Sequence, residues 1–275
     1  MRGIILRLLR KVYLYPLLFL YNFNKKEDIT VVMGVKNIFD CERIVNSLES
    51  IRNQEYDQSL VRINLVDYDS DSSLIQYYQQ ICKVYNVLYT RVNGKAIWSR
   101  AHALNIGIRN AKTKYILCTD ADIIFERNYI KEAIKELKKD PLQVIIAPAF
   151  DLPDIPTRGK ECVQLKSLAQ IRYKDIKNWA GINLALTYFY HKIRGYVEQY
   201  KMWGSEDEDL IKRLKLFALK NKPIENSTFF LHQYHPKFRN VDRLNGFRAQ
   251  VIINRVYCRR SSSIIRNGKQ WGSSE

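Results

Sequence analysis

From residue 29 onward, short apolar runs alternate with amphipathic segments. Residues 29–35 (ITVVMGV) are continuously apolar and predict a buried strand. Residues 41–52 place Ile44, Leu48 and Ile51 on one face, the spacing of a helix. A second strand is predicted over 61–66 (VRINLV), ending in Asp67-Tyr68-Asp69-Ser70. The pattern continues with a helix over 74–84, a strand over 87–92, a helix over 99–110 and a strand over 115–119 (YILCT). A helix over 129–139 is stopped by Asp140-Pro141, and a strand follows over 144–147. This alternation predicts an α/β fold: a mainly parallel sheet with helices on both faces.

After Asp151 the pattern loosens. Residues 151–157, with Pro153 and Pro156, read as a loop, 161–177 as a helix and 184–190 as a strand. Residues 206–220 form an amphipathic helix and 229–235 a strand, whereas the basic stretch beyond Pro236 has no readable period. No internal repeat or low-complexity stretch is present.

In parallel sheets, ligands bind at the carboxyl ends of the strands. Two of those ends carry acids: Asp67 and Asp69 after the second strand, Asp120 and Asp122 after the fourth. Two carboxylates one residue apart can hold a divalent cation, which can in turn neutralise a diphosphate; the same acids also suit a turn or a helix cap. Trp203-Gly204-Ser205-Glu206-Asp207-Glu208-Asp209 is a second concentration of acids. Ser205 and Glu208 have the spacing of a capping box, and Glu206 or Asp207 could serve as a general base if the helix start faces a cleft. Trp203 could give a sugar ring an apolar platform or pack in a core. His232 and His235 lie close together near a strand end, where a histidine could complete a metal site begun by Asp122.

These elements, in this order, resemble a glycosyltransferase of the GT-A fold, the Rossmann-like nucleotide-diphospho-sugar transferase architecture. The likeness is to family 2 and to the β1,4-galactosyltransferase and chondroitin-polymerase group. It spans roughly residues 29–235. It rests on Arg43, Ser47-Leu48 and Gln54 in the first helix, on Leu65-Val66-Asp67-Tyr68-Asp69-Ser70, and on Trp98-Ser99-Arg100-Ala101 with Asn105-Ile106-Gly107. It continues through Asp120-Ala121-Asp122, Arg194-Gly195-Tyr196-Val197-Glu198 and Trp203-Gly204-Ser205-Glu206-Asp207. The resemblance implies that Asp67 contacts uracil, that Arg100 and Asp120 hold the nucleotide, and that Asp122 and His235 bind Mn²⁺ or Mg²⁺. It implies Asp207 as catalytic base, with Trp203 and Glu206 on the acceptor side. Arg194 and Val197 depart from the family's glycine and aspartate.

The implied reaction is an inverting transfer of a hexose or N-acetylhexosamine from a UDP-sugar, UDP-galactose or UDP-N-acetylgalactosamine being favoured. The acceptor would be a saccharide, free or lipid-linked, in surface polysaccharide or glycolipid synthesis. A non-catalytic carbohydrate-binding protein on this fold and a nucleotidyltransferase are the alternatives. For the latter, Gly34-Val35-Lys36-Asn37 is a poor phosphate loop.

Composition refines the picture. The chain has 275 residues and a net charge of +17, which calls for an anionic partner. Its Lys and Arg are dispersed and no basic-aromatic RNA motif occurs, so no nucleic-acid partner is expected. The odd count of 5 Cys, without a CxxC pair, points to a reducing cytoplasm. Residues 1–26 mix Leu, Ile and Tyr with Arg2, Arg7, Arg10 and Lys11; the apolar run over 12–23, broken by Pro16, is too short to span a bilayer, and no cleavage site follows. They predict a basic amphipathic segment on an anionic membrane surface, placing the protein peripherally on the inner face of the cell membrane, or a helix packed on the body. The expected organisation is thus 1–26, a catalytic domain over 27–240 (nucleotide half 27–125, acceptor half 126–240) and a basic extension over 241–275.

Overall fold

The computed structural model describes residues 8, 12–18, 20–21, 25–38, 40–95, 97–172, 181–236, 246–260 and 262–274. The first half follows the predicted alternation: β1 (Ile29–Val35), α1 (Glu42–Arg52), β2 (Val61–Tyr68), α2 (Ser72–Val84), β3 (Leu88–Val92), α3 (Arg100–Asn110) and β4 (Tyr115–Asp120). Then come β5 (Ile123–Phe125), α4 (Tyr129–Lys139), β6 (Gln143–Ile146), β7 (Ala149–Asp151), α5 (Cys162–Lys166) and β8 (Gln170–Ile171). The chain continues with β9 (Asn183–Leu186), α6 (Thr187–Ile193), α7 (Glu206–Phe217), β10 (Lys220–Pro223), β11 (Phe230–His232) and α8 (Phe247–Arg259).

The main sheet has the order β10-β6-β9-β4-β1-β2-β3, with β9 antiparallel to both its neighbours. The chain leaves β1 on one side through β2 and β3, then returns to its other side with β4. The strand order therefore reverses at β1/β4, where a crevice opens beyond the carboxyl ends. In this register Gly34 lies opposite both Val66 and Asp120, which brings the ends of β2 and β4 to the same level. Helix α3 packs on β1 through Gly107: a Cβ there would lie 2.3 Å from Val32 Cγ1. A smaller sheet, β5-β11-β7-β8, covers the end of β4.

Two expectations are corrected. The helix expected over 161–177 is confined to Cys162–Lys166, because Gln170 and Ile171 pair with Asp151 and Phe150 as a strand edge; 173–177 lie outside the described residues. The strand expected over 184–190 ends at Leu186 and turns into α6, which buries Phe189, Tyr190 and Ile193. A short apolar run fits a buried strand or a buried helix equally by period. The unreadable C-terminal stretch contains a helix, α8.

Leu14 and Leu18 of the N-terminal helical segment and Cys258 of α8 join the main hydrophobic core. The opposite side of the N-terminal segment stays exposed and apolar, with Val12, Tyr13, Leu17 and Leu20 each more than half exposed. No helix among the described residues is long and apolar enough to cross a membrane. All five cysteines are free thiols.

Candidate active site

Asp120 ends β4, and Asp122 follows one residue later, just before β5. The small sheet then brings a distant segment beside it. β11 lies between β5 and β7, in a register that sets His232 opposite Ile123 and opposite Asp151. The Gln233 amide donates to the Asp122 carbonyl at 3.0 Å, locking the next turn in place. Asp122 Oδ2 consequently lies 3.6 Å from His232 Nε2 and 3.4 Å from His235 Nε2.

One ligand atom from each of Asp122, His232 and His235 falls within 4.8 Å of the others. Asp122 is 8% exposed, and its Oδ1 is buried without a hydrogen-bond partner. A buried carboxylate oxygen lacking a donor is costly, and a divalent cation held by oxygen and two imidazoles would satisfy it. The residues present therefore fit a metal. The sequence reading preferred His235 over His232; the structure brings both to Asp122. His232 also brings Nδ1 to 3.2 Å from Asp151 Oδ1, so a second carboxylate lies beside the ring while Nε2 faces Asp122. The Arg43 guanidinium reaches within 4.0 Å of Asp122 Oδ2, adding positive charge at the same point.

On the other side of the Asp120-Ala121-Asp122 turn, the first residue of α3 gathers the remaining acids. Arg100 donates through Nε to Asp120 Oδ1, through Nη1 to Asp207 Oδ1 at 2.6 Å, and through Nη2 to the Gly181 carbonyl at 2.7 Å. Burial disfavours the guanidinium charge, but Asp120 and Asp207 outweigh it and hold the pKa of Arg100 well above its usual value. Asp207 moves well above the usual carboxylate range, chiefly through burial; Arg100 opposes the shift, while Glu206 and Asp120 reinforce it. Glu206, 6% exposed, is also raised by burial, against the pull of Arg100.

The loop before α7 is backbone-strained. Met202, Gly204 and Ser205 have φ of 60°, 103° and 73°. Only glycine takes that region freely, and strain of this kind concentrates at functional sites. Ser205 makes no side-chain capping bond, so the capping-box expectation is corrected; a left-handed residue cannot aim its hydroxyl at the helix start as an extended one does. The four acids separate by role. Glu206 and Asp207 face Arg100, and Glu208 is exposed. Asp209 is fully buried between Arg213, at 2.6 Å, and Arg266, at 2.5 Å. Trp203, 49% exposed, stands at the rim.

Asp67 faces inward with 0% exposure. Its oxygens accept from the Ser70 amide at 2.9 Å, the Tyr89 hydroxyl at 2.6 Å and Arg91 Nη1 at 2.5 Å. It reaches a nucleobase only if Tyr89 or Arg91 gives way. Arg194, which departs from the family glycine, adopts a left-handed φ of 57° as the cap of α6, the conformation for which glycine is the usual choice. Sequence reasoning missed Asp151, the Gly181 carbonyl and the Asp209–Arg213–Arg266 cluster. No local signal marks them, since their partners come from distant elements.

Two shallow depressions, one bounded by Glu136 and Lys222, the other by Glu126 and Phe229, include no residue of this acid–histidine site.

A sequence profile for glycosyl transferase family 2 matches residues 30–195, and one described as the N-terminal domain of galactosyltransferase matches 165–236. The chain is 29% identical over 128 residues to poly-beta-1,6-N-acetyl-D-glucosamine synthase of Staphylococcus aureus (strain COL), covering 44% of this chain and 30% of that relative. The chain thus matches less than a third of that protein's length. S. aureus TarS 1–349, solved with UDP, superposes with a TM-score of 0.59 at 13% identity, covering 76% of this chain and 61% of that one. The mannosyltransferase PcManGT from Pyrobaculum calidifontis, solved with GDP-Man and Mn²⁺, gives 0.59 at 15% identity, covering 87% and 68%. At such identities the structural likeness speaks for the fold, which is GT-A. Because the first profile extends over more than half of the chain, the protein belongs to glycosyl transferase family 2.

Proposed function

We propose that the protein is an inverting, metal-dependent glycosyltransferase that moves a hexose or N-acetylhexosamine from a UDP-sugar to a saccharide acceptor. The observation that carries this reading is the position of Arg100, which ties Asp120 to Asp207 while Asp122, one residue beyond Ala121, meets two histidines. Arg100 thereby ties the acceptor-side Asp207 to the turn that carries the donor-side acids.

Asp122, His232 and His235 would hold Mn²⁺ or Mg²⁺, which supplies Lewis-acid stabilisation to the departing diphosphate. Asp120 and Arg100 are assigned to the nucleotide, and Asp67, with its partner Arg91, to the uracil. Arg43 adds a cation beside the diphosphate position. On the acceptor side, Trp203 offers its ring to the sugar and Glu206 a hydrogen bond. Asp207 takes the proton of the acceptor hydroxyl as that oxygen attacks the anomeric carbon from the face opposite the leaving UDP. The new glycosidic bond forms as the bond to the diphosphate breaks. A raised pKa suits this role, because a base is most effective when its pKa approaches the working pH.

The Trp203-Gly204 element and the galactosyltransferase-like segment favour galactose or N-acetylgalactosamine; the matched synthase, named for poly-N-acetylglucosamine, favours N-acetylglucosamine. The acceptor is assigned to surface polysaccharide or glycolipid synthesis, at the cytoplasmic face of a membrane that the exposed apolar side of the N-terminal segment would touch. A thermal-shift panel of UDP- and GDP-sugars with and without Mn²⁺ tests the reading. A metal-dependent rise in melting temperature with UDP-sugars supports it; no response to any nucleotide sugar overturns it.

A further inference from the structure

We infer that the outer face of α8 is a membrane-contact surface that sets the acceptor loop against an anionic lipid bilayer. The inference rests on assigning the 203–207 loop to the acceptor, and it concerns where that acceptor is met.

Helix α8 has two unlike sides. Phe247, Asn254 and Cys258 are buried. Asn254 donates through Nδ2 to the carbonyls of Lys201, at 2.9 Å, and Trp203, at 3.2 Å. The Tyr257 ring packs edge-on against Tyr200 at 5.5 Å and lies 3.8 Å beneath the Arg266 guanidinium. Lys212 caps the last turn by donating to the carbonyls of Cys258 and Arg259. The helix is therefore fixed to the loop that carries Trp203, and its outer side must face whatever lies beside that loop.

The outer side is both apolar and cationic. Ile252, Ile253 and Val256 are 60%, 57% and 41% exposed. At about 100° per residue they form one strip, with the exposed Arg248, Arg255 and Arg259 in a row along its edge. The helix contains no Asp or Glu. Aliphatic side chains so far from the core gain nothing in water. A nucleic acid would use the arginines but leave the isoleucines in water. The boundary between headgroups and acyl chains takes both: aliphatic groups enter the hydrocarbon and arginines meet lipid phosphates. An acceptor sugar carried on a lipid would then emerge beside Trp203 and Asp207.

The test is co-sedimentation of the full chain with vesicles of phosphatidylcholine alone, or of phosphatidylcholine with phosphatidylglycerol. The variants are Ile252→Ser/Ile253→Ser and Arg248→Gln/Arg255→Gln/Arg259→Gln, compared with Leu17→Ser/Leu20→Ser in the N-terminal segment. The expected result is salt-sensitive binding to the anionic vesicles, weakened at least about tenfold by either α8 variant, at unchanged melting temperature. Wild-type-like sedimentation of both α8 variants overturns the inference, as does loss of binding only in the Leu17/Leu20 variant. Tighter binding to duplex DNA than to the anionic vesicles also overturns it. The UDP-induced thermal shift, read on the same samples, reports separately on the transferase assignment.

Discussion

Arg100 donates to Asp207 across 107 positions of sequence, at 2.6 Å, while another nitrogen of the same guanidinium holds Asp120. This bond joins the start of α3 to the first turn of α7. If Asp207 is the base, Asp207→Asn should lower turnover by roughly a hundredfold to ten-thousandfold and leave UDP affinity nearly intact. UDP release and a UDP titration on the same variant check this. Near-normal turnover would remove Asp207 from the mechanism.

The charges around Asp207 set the direction of a pH test. Burial, Glu206 and Asp120 raise its pKa, and Arg100 lowers it. The base works deprotonated, so activity should fall as pH drops through this raised pKa. Glu206→Gln removes a negative neighbour and should shift the acid limb of kcat/KM to lower pH. Arg100→Ala removes the positive one and should shift any residual activity to higher pH. Shifts in the same direction for both variants would contradict the assignment.

At the proposed metal site, Asp122→Ala should abolish metal-dependent donor binding, and His232→Ala and His235→Ala should each weaken Mn²⁺ binding. Asp151 contacts Nδ1 of His232, on the opposite side of the ring from Asp122. Asp151→Asn should therefore cost about 10–100-fold in Mn²⁺ affinity, with His232→Ala abolishing any further effect of the Asp151 change. Mn²⁺ titration followed by electron paramagnetic resonance reads this without turnover. Full Mn²⁺ affinity in His232→Ala would reduce the ligand set to Asp122 and His235.

Asp209 tests the scaffold rather than the chemistry. It and Arg213 are both 0% exposed, and Arg213 also donates to the carbonyls of Ile193 and Gly195. Asp209→Ala strands a buried guanidinium and should lower unfolding stability by about 3–5 kcal/mol, measured by denaturant titration. A loss under about 1 kcal/mol would mean that the carbonyls of Ile193, Gly195 and Ile264 suffice to hold Arg213 even beside the like-charged Arg266.

Local pattern alone determined a good deal of this protein. The period of apolar residues predicted the alternation from β1 to β6 to within a few residues, except for the three-residue β5, since each helix or strand must turn one face from water. The Asp120-Ala121-Asp122 turn and the acids in the first turn of α7 were also legible, because they are contiguous and sit at element ends. Tertiary structure alone decided which side chains meet. The pairing of β11 between β5 and β7 brings His232 and His235 to Asp122. Packing buries Asp67 beneath Arg91 and diverts Asp209 to an internal ion cluster, although it reads in sequence like its acidic neighbours. Orientation and desolvation depend on contacts between strands and helices far apart in the chain, and a one-dimensional pattern carries no record of those contacts.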